Sequence, residues 1–234
     1  KNGEGLPIRP SIALGTAVKQ SPEENIHAVI SLAEERMYDE KRDLGRKNRD
    51  QVIRSLLREV NRKLPGHAAH LQRLRRLSRG YARVLGLGKR DLADLQMIIL
   101  LHDIGKATVP DAYLAKPGPL TPGEWDTIKR HPDTGFRILR TFIRTAKISE
   151  EVLSLREQWD GTGYPRGLNG KQIPLLARVF SILDSYDIMT HDRPYARAFT
   201  HKQALDTLRA GAGKQFDPTL VQKFIQVANF EILS

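Results

Sequence analysis

Among the seven histidines of this chain, His102 stands directly before Asp103 in Leu100-Leu101-His102-Asp103-Ile104-Gly105-Lys106, at the end of an apolar helical pattern. A carboxylate buried there is costly unless it is paired or holds a metal, and imidazole beside carboxylate is a ready pair of hard-to-borderline ligands. The plainer alternative is a helix end where His and Lys settle the dipole while Asp faces water. Two further residues favour the ligand reading. His70 opens an amphipathic pattern whose Leu71, Leu74, Leu77 and Tyr81 point inward, and Asp184 closes the apolar run Ala177 to Leu183. Helical bundles build metal sites from inward-facing side chains on separate helices, so two His and two Asp would converge on one ion. His131, in Lys129-Arg130-His131-Pro132, is a fifth candidate, with a core or cap role as its alternative. His27, His67, His191 and His201 are read as surface or capping residues.

The elements that must position these groups are helical. Ser21-Pro22-Glu23-Glu24 carries an N-cap, a proline at the first helical position and a Glu placed to close a capping box. Apolar residues then recur at three and four from Ile26 to Met37, a helix expected to stop near Gly45. A connector helix is expected from Val52 to Leu64, ended by Pro65-Gly66. Helices follow over His67 to Leu85 and Asp91 to Asp103, and another opens at the capping box Thr121-Pro122-Gly123-Glu124. The pattern extends to Ser149–Arg156, Pro174–Met189, Thr200–Leu208 and Asp217–Val227, and Ile8 to Val18 reads as a strand. Asp160 to Lys171, rich in glycine, reads as a loop of the functional kind.

Composition narrows the chemistry. No cysteine is present, which excludes disulfides, thiolate metal sites and thiol nucleophiles, and fits a reducing, cytoplasmic interior. Iron, manganese or zinc would suit the remaining His and Asp donors. The formal charge of +11 invites an anionic partner. Basic residues from Arg36 to Arg90 are interspersed with acidic ones and lack interleaved aromatics, which argues against nucleic acid. No run approaches the roughly 20 apolar residues of a membrane span.

The ordered segments His102-Asp103-Ile104-Gly105-Lys106, Lys116-Pro117-Gly118, His131-Pro132, Trp159-Asp160-Gly161-Thr162-Gly163-Tyr164-Pro165, Ile173-Pro174 and Asp192-Arg193-Pro194-Tyr195 resemble the HD-GYP phosphodiesterases over about residues 65–230. The resemblance implies a mainly α, HD-superfamily helical bundle that hydrolyses the bacterial messenger cyclic di-GMP with divalent metal. It places His70, His102, Asp103, His131 and Asp184 at metal-ligand positions. Asp103 and Lys106 become the catalytic pair, and Lys106 and Arg193 approach the substrate phosphates. Tyr164 shapes the mouth of the site.

The chain departs from that family where two consecutive histidines are expected just before Glu157: it has Leu155 and Arg156. A carboxylate found in some members four residues before the first histidine falls on Gly66. The remaining donors suffice for one ion at most, with Arg156 replacing or excluding a second cation. The competing functions are therefore a weakened cyclic di-GMP phosphodiesterase, an inactive nucleotide-sensing or protein-interaction module, and a mononuclear hydrolase of another phosphate ester.

Ser11-Ile12-Ala13-Leu14-Gly15, Ala33 to Tyr38, Lys41 and Gly45-Arg46 resemble the closing strand and helix of GGDEF domains. The expected organisation is a GGDEF-like remnant over 1–47, a connector helix over 48–64 and an HD-GYP domain over 65–234, as a fragment of a longer protein. GGDEF-domain proteins and a second copy of the chain are the protein partners this organisation suggests.

Overall fold

The computed structural model describes residues 12–192 and 197–231, the side chains of 42–49 and 229–231 excepted. Among the described residues the fold is all helical, without a strand. Two compact units divide the chain, Lys1–Ser55 and Leu56–Ser234.

In the first unit, residues 12–20 have no regular structure, and the part of the expected Ile8–Val18 strand before Ile12 lies outside the described residues. A ladder needs a partner strand to satisfy its N–H and C=O groups. Here a helix side chain supplies that role: the Leu14 amide donates to Glu40 Oε2 at 2.6 Å, and Arg36 donates to the Thr16 carbonyl at 2.6 Å. A Cβ on Gly15 would collide with the Ala33 carbonyl, so only glycine allows this approach. Helix α1, Ile26–Lys63, begins four residues after Pro22, the first helical position expected from the capping sequence, and continues through Gly45, joining what the sequence presents as two helices. One glycine costs a helix only about 1 kcal/mol, too little to stop it where the flanking turns continue.

The second unit is built on four helices packed on one another: α2 (His67–Leu85), α3 (Lys89–Leu101), α8 (Leu175–Thr190) and α10 (Pro218–Glu231). On α2, Leu71, Leu74, Ser78, Tyr81 and Ala82 are buried at helical spacing, and Gly86 ends the helix in the left-handed conformation that residues with a Cβ avoid. Tyr81 meets Phe224 edge to face at 5.1 Å and donates its hydroxyl to the Leu220 carbonyl, so its one polar atom is satisfied inside the core. From α3 come Leu95, Ile98 and Ile99, and from α8 Val179, Phe180, Ile182 and Leu183, all fully enclosed. Each such side chain contributes roughly 1.5–3 kcal/mol of burial. Together they form the floor under the polar cluster described below.

Shorter elements frame that floor. A 3-10 turn, Ile104–Thr108, follows α3 and packs on α6 (His131–Arg140), and a Cβ on Gly105 would collide with the His131 carbonyl. Lys63 anchors the turn by donating to the carbonyls of Ala107 and Val109 at 2.8 and 2.7 Å. Helix α4 (Asp111–Leu114) precedes α5 (Pro122–Lys129), whose capping box at Thr121 and Glu124 forms as its sequence dictates. Helix α6 had no counterpart in the sequence reading. Helix α7 (Ser149–Leu153) stops three residues short of the expected Arg156, and α9 spans His201–Ala210.

The segment between α7 and α8 lacks regular structure beyond a 3-10 turn at Gly170–Gln172, yet it is tied down from inside. Glu157, 5% exposed, accepts the amides of Arg166 and Leu168 at 2.8 and 3.0 Å. Gly163 presses on the Glu157 backbone where a Cβ would clash.

Candidate metal centre

Four elements deliver the donors. Helix α2 carries His67 and His70, three residues apart and so on one face. The end of α3 carries His102 and Asp103, α8 carries Asp184 and Asp187, and the segment after α7 carries Arg156. Asp103 and Asp184 are 5% and 4% exposed.

The imidazoles share one device: each has its Nδ1 fixed, leaving Nε2 for the interior. His102 Nδ1 lies 2.8 Å from the Ile99 carbonyl, His70 Nδ1 2.7 Å from Asp187 Oδ2, and His67 Nδ1 2.7 Å from Asn61 Oδ1. Asp187 is itself held by Arg73, which donates Nε and a terminal nitrogen to its two oxygens at 2.7 Å each. An outer anchor of this kind fixes the ring and its tautomer, as ligand histidines require. On the inner side His70 Nε2 is 3.3 Å from Asp184 Oδ1, His102 Nε2 is 3.2 Å from Asp103 Oδ2, and His67 Nε2 is 3.8 Å from Asp103 Oδ2.

Two groups of donors lie within 4.8 Å of one another: His67 with His102 and Asp103, and His70 with His102 and Asp184. Of the sequence-proposed ligands, His70, His102 and Asp184 therefore share one group, and Asp103 joins His102 in the other. His131 is buried and bonds the Ile128 carbonyl through Nδ1, but falls in neither group. His67 corrects the sequence reading, since it is buried inside the cluster and not a surface or capping residue. The His-x-x-His spacing from His67 to His70 was its signal. Asp187 was missed likewise, with the Asp-x-x-Asp spacing from Asp184 as its signal.

Basic groups complete the site. Lys106 Nζ is 2.8 Å from Asp103 Oδ1, a close ion pair without hydrogen-bond alignment. Arg156 places one terminal nitrogen 3.2 Å from Asp184 Oδ2 and the other 4.0 Å from Asp103 Oδ1. Leu155 is packed into the core. Tyr164 is half-buried at the rim, its amide donating to the Arg156 carbonyl and its ring 5.6 Å from Lys129 Nζ. Arg193 lies outside the described residues.

Charge states follow from these surroundings. Burial opposes ionisation of Asp103, but His102 and Lys106 hold it well below the ordinary carboxylate range. Asp184, equally opposed by burial, is held at about 2 by His70 and Arg156. Burial pushes His67 down to about 4, and burial with Lys106 does the same to His131. His70 resists burial because Asp184 and Asp187 face it, and rises to about 9.

The residues fit a divalent cation on structural grounds. His67 Nε2 and Asp103 Oδ1 are buried without a hydrogen-bond partner. The three inner nitrogen–oxygen separations, 3.2, 3.3 and 3.8 Å, are each shorter than twice a metal–ligand bond of about 2.1 Å. Imidazole nitrogens and carboxylate oxygens also suit iron, manganese or zinc.

The sequence pattern of the HD domain matches residues 54–220. The chain is 34% identical over 213 residues to the cyclic di-GMP phosphodiesterase response regulator RpfG of Xanthomonas campestris pv. campestris, a match covering 89% of this chain and 55% of that protein. It is 36% identical over 160 residues to the cyclic di-GMP phosphodiesterase of Thermotoga maritima, covering 68% and 44%. The chain thus spans about half the length of these curated relatives. Among solved structures, the HD domain of the L. monocytogenes phosphodiesterase PgpH, in complex with cyclic-di-AMP, superposes with a TM-score of 0.56 at 18% identity, covering 76% of this chain and 95% of that one. A cyclic GMP-AMP specific phosphodiesterase of V. cholerae gives 0.55 at 20%, covering 76% and 48%. At such identities the likeness speaks for the fold. A buried His-Asp cluster at the heart of a shared helical fold, under a sequence pattern that spans most of the chain, leads to one assignment: the chain belongs to the HD-domain family.

Proposed function

We propose that this chain is a bacterial second-messenger signalling module on an HD-GYP phosphodiesterase scaffold, binding cyclic di-GMP or a related cyclic dinucleotide at a site with one divalent ion and hydrolysing it weakly or not at all. The observation that carries this reading is the position of Arg156, whose guanidinium reaches towards both Asp184 and Asp103. Cations are expected between those carboxylates. Arg156 offsets the same negative charge, but it has no coordination site and stays protonated in proteins, so it supplies neither a bound hydroxide nor a Lewis acid. A divalent ion held at His102, with Asp103 or with His70 and Asp184, would polarise a phosphoryl oxygen and acidify a bound water.

The chain's own residues support anion binding independently of turnover. Lys106 leans on Asp103 with its ammonium partly exposed, placed to meet a phosphate at the edge of the site. Arg156 adds a second donor, and Tyr164 with Lys129 forms a polar rim. Cyclic dinucleotides combine two phosphodiesters with aromatic bases, and the relatives named for cyclic di-GMP and the V. cholerae 3'3'-cGAMP-specific phosphodiesterases agree with that ligand class. A second reading, a mononuclear hydrolase of another phosphate ester, is favoured by the His70, His102 and Asp184 group, which lacks nothing needed for one ion. Cytoplasmic placement fits the absence of cysteine. No described helix is long and apolar enough to cross a membrane.

The test is incubation of pure protein with cyclic di-GMP and excess manganese, followed by chromatography for the linear dinucleotide or GMP, alongside equilibrium binding of the intact ligand. Binding with little or no product is expected, whereas rapid turnover would contradict the reading. The double variant Leu155→His with Arg156→His should take up additional metal, and unchanged metal content would remove the argument from lost ligands.

A further inference from the structure

We propose that His67 is itself a ligand of the divalent ion, beside His102 and Asp103. This deepens the proposed function and rests on its single-ion site. Three observations carry it. First, His67 Nε2 is buried with no hydrogen-bond partner, and at 3.8 Å its nearest acceptor, Asp103 Oδ2, is too distant for one. Leaving such a nitrogen bare is costly, whereas a cation between the two groups would satisfy both. Second, Nδ1 of His67 bonds the Asn61 side-chain oxygen at 2.7 Å, so the proton sits on Nδ1 and the lone pair of Nε2 faces the site. His70 and His102 are oriented in the same manner.

Third, the two donor groups share one atom. His102 belongs to both, and since its Nδ1 is taken by the Ile99 carbonyl, Nε2 is the only nitrogen it can offer. One imidazole nitrogen ligates one ion. Asp103 falls only in the group that contains His67, so an ion held by His102 and Asp103 takes His67 as its third donor. His67 also follows Gly66 directly, the position where the resembled family sometimes supplies a carboxylate and this chain has no side chain. A ligand lost at Gly66 is thereby replaced from the next residue.

The experiment measures manganese affinity of the metal-stripped full chain by electron paramagnetic resonance, together with the visible absorption of the cobalt-loaded protein. His67→Ala and His67→Gln are compared with wild type. Asn61→Ala, which frees the Nδ1 anchor at an exposed position, is the variant that leaves the ligand in place, and His27→Ala is the control. One ion in wild type is expected, with affinity at least ~10-fold weaker in both His67 variants and about 10-fold weaker in Asn61→Ala. Altered cobalt bands in the His67 variants would mark a changed coordination sphere. If wild type binds one ion while folded His67 variants match it in affinity and spectrum, His67 is not a ligand and the single-ion site stands. If wild type binds no ion, both this assignment and the proposed metal site fall.

Discussion

Asp217 and Asp103 are each 5% exposed, and the two carboxylates have opposite surroundings. Asp217 accepts the amides of Thr219 and Leu220 at the start of α10, and its second oxygen meets Arg178 at 2.6 Å. Arg178 in turn donates Nε to the Ile173 carbonyl and lies over the Trp159 ring. That network is complete. Asp103 Oδ1 has no hydrogen bond, with Lys106 and Arg156 near but poorly aligned, and its other oxygen, Oδ2, lies 3.8 Å from the His67 nitrogen that also has none. A saturated buried network fixes a fold, whereas an unsaturated one is a place left for a ligand.

That contrast can be broken by substitution. Asp217→Ala removes one partner of a buried pair and a helix cap together, so it should cost about 3–5 kcal/mol in urea unfolding, equally with and without manganese. Manganese-dependent recovery would show that the two clusters are not separate. Manganese at a hundred times its dissociation constant should stabilise wild type by roughly 2.7 kcal/mol, read as a rise in Tm, and leave the Tm of Asp103→Asn unmoved. Asp103→Asn by itself should change stability by less than ~1.5 kcal/mol, because the carboxylate it removes is under-satisfied, while manganese binding is lost. A loss as large as that of Asp217→Ala would make Asp103 a structural residue.

Much of this arrangement was legible in the chain itself. Helix α2 runs from His67 to Leu85 and ends at Gly86 as its apolar spacing and glycine indicate, and the capping box at Thr121 forms as written. His102-Asp103 declared itself because a charged pair ended an apolar run. Long-range features were harder. His67 depends on Asp103 and Asn61, and its one local signal, the His-x-x-His spacing to His70, does not by itself separate a ligand from a helix-capping histidine. Helix α6 was hidden because His131-Pro132-Asp133-Thr134-Gly135 contains two residues that ordinarily interrupt helices. Pro132 falls in its first turn, where no amide bond is needed, and Gly135 lies beside Val152 and Ile104 inside the helix, where the flanking turns carry it. The stop after Leu153 escaped notice because it is set by the loop wrapped around Glu157, not by a breaking residue.

Arg156 gives the two halves of the site their different character. Toward His70 and His102 the carboxylates meet groups that can share a metal, and toward Arg156 they meet a charge that cannot. The most direct measurement is elemental analysis of the purified protein after equilibration with excess manganese, iron and zinc in turn and removal of loosely held ions. One tightly bound ion per chain is the expected result. Two or more per chain would contradict the role given to Arg156.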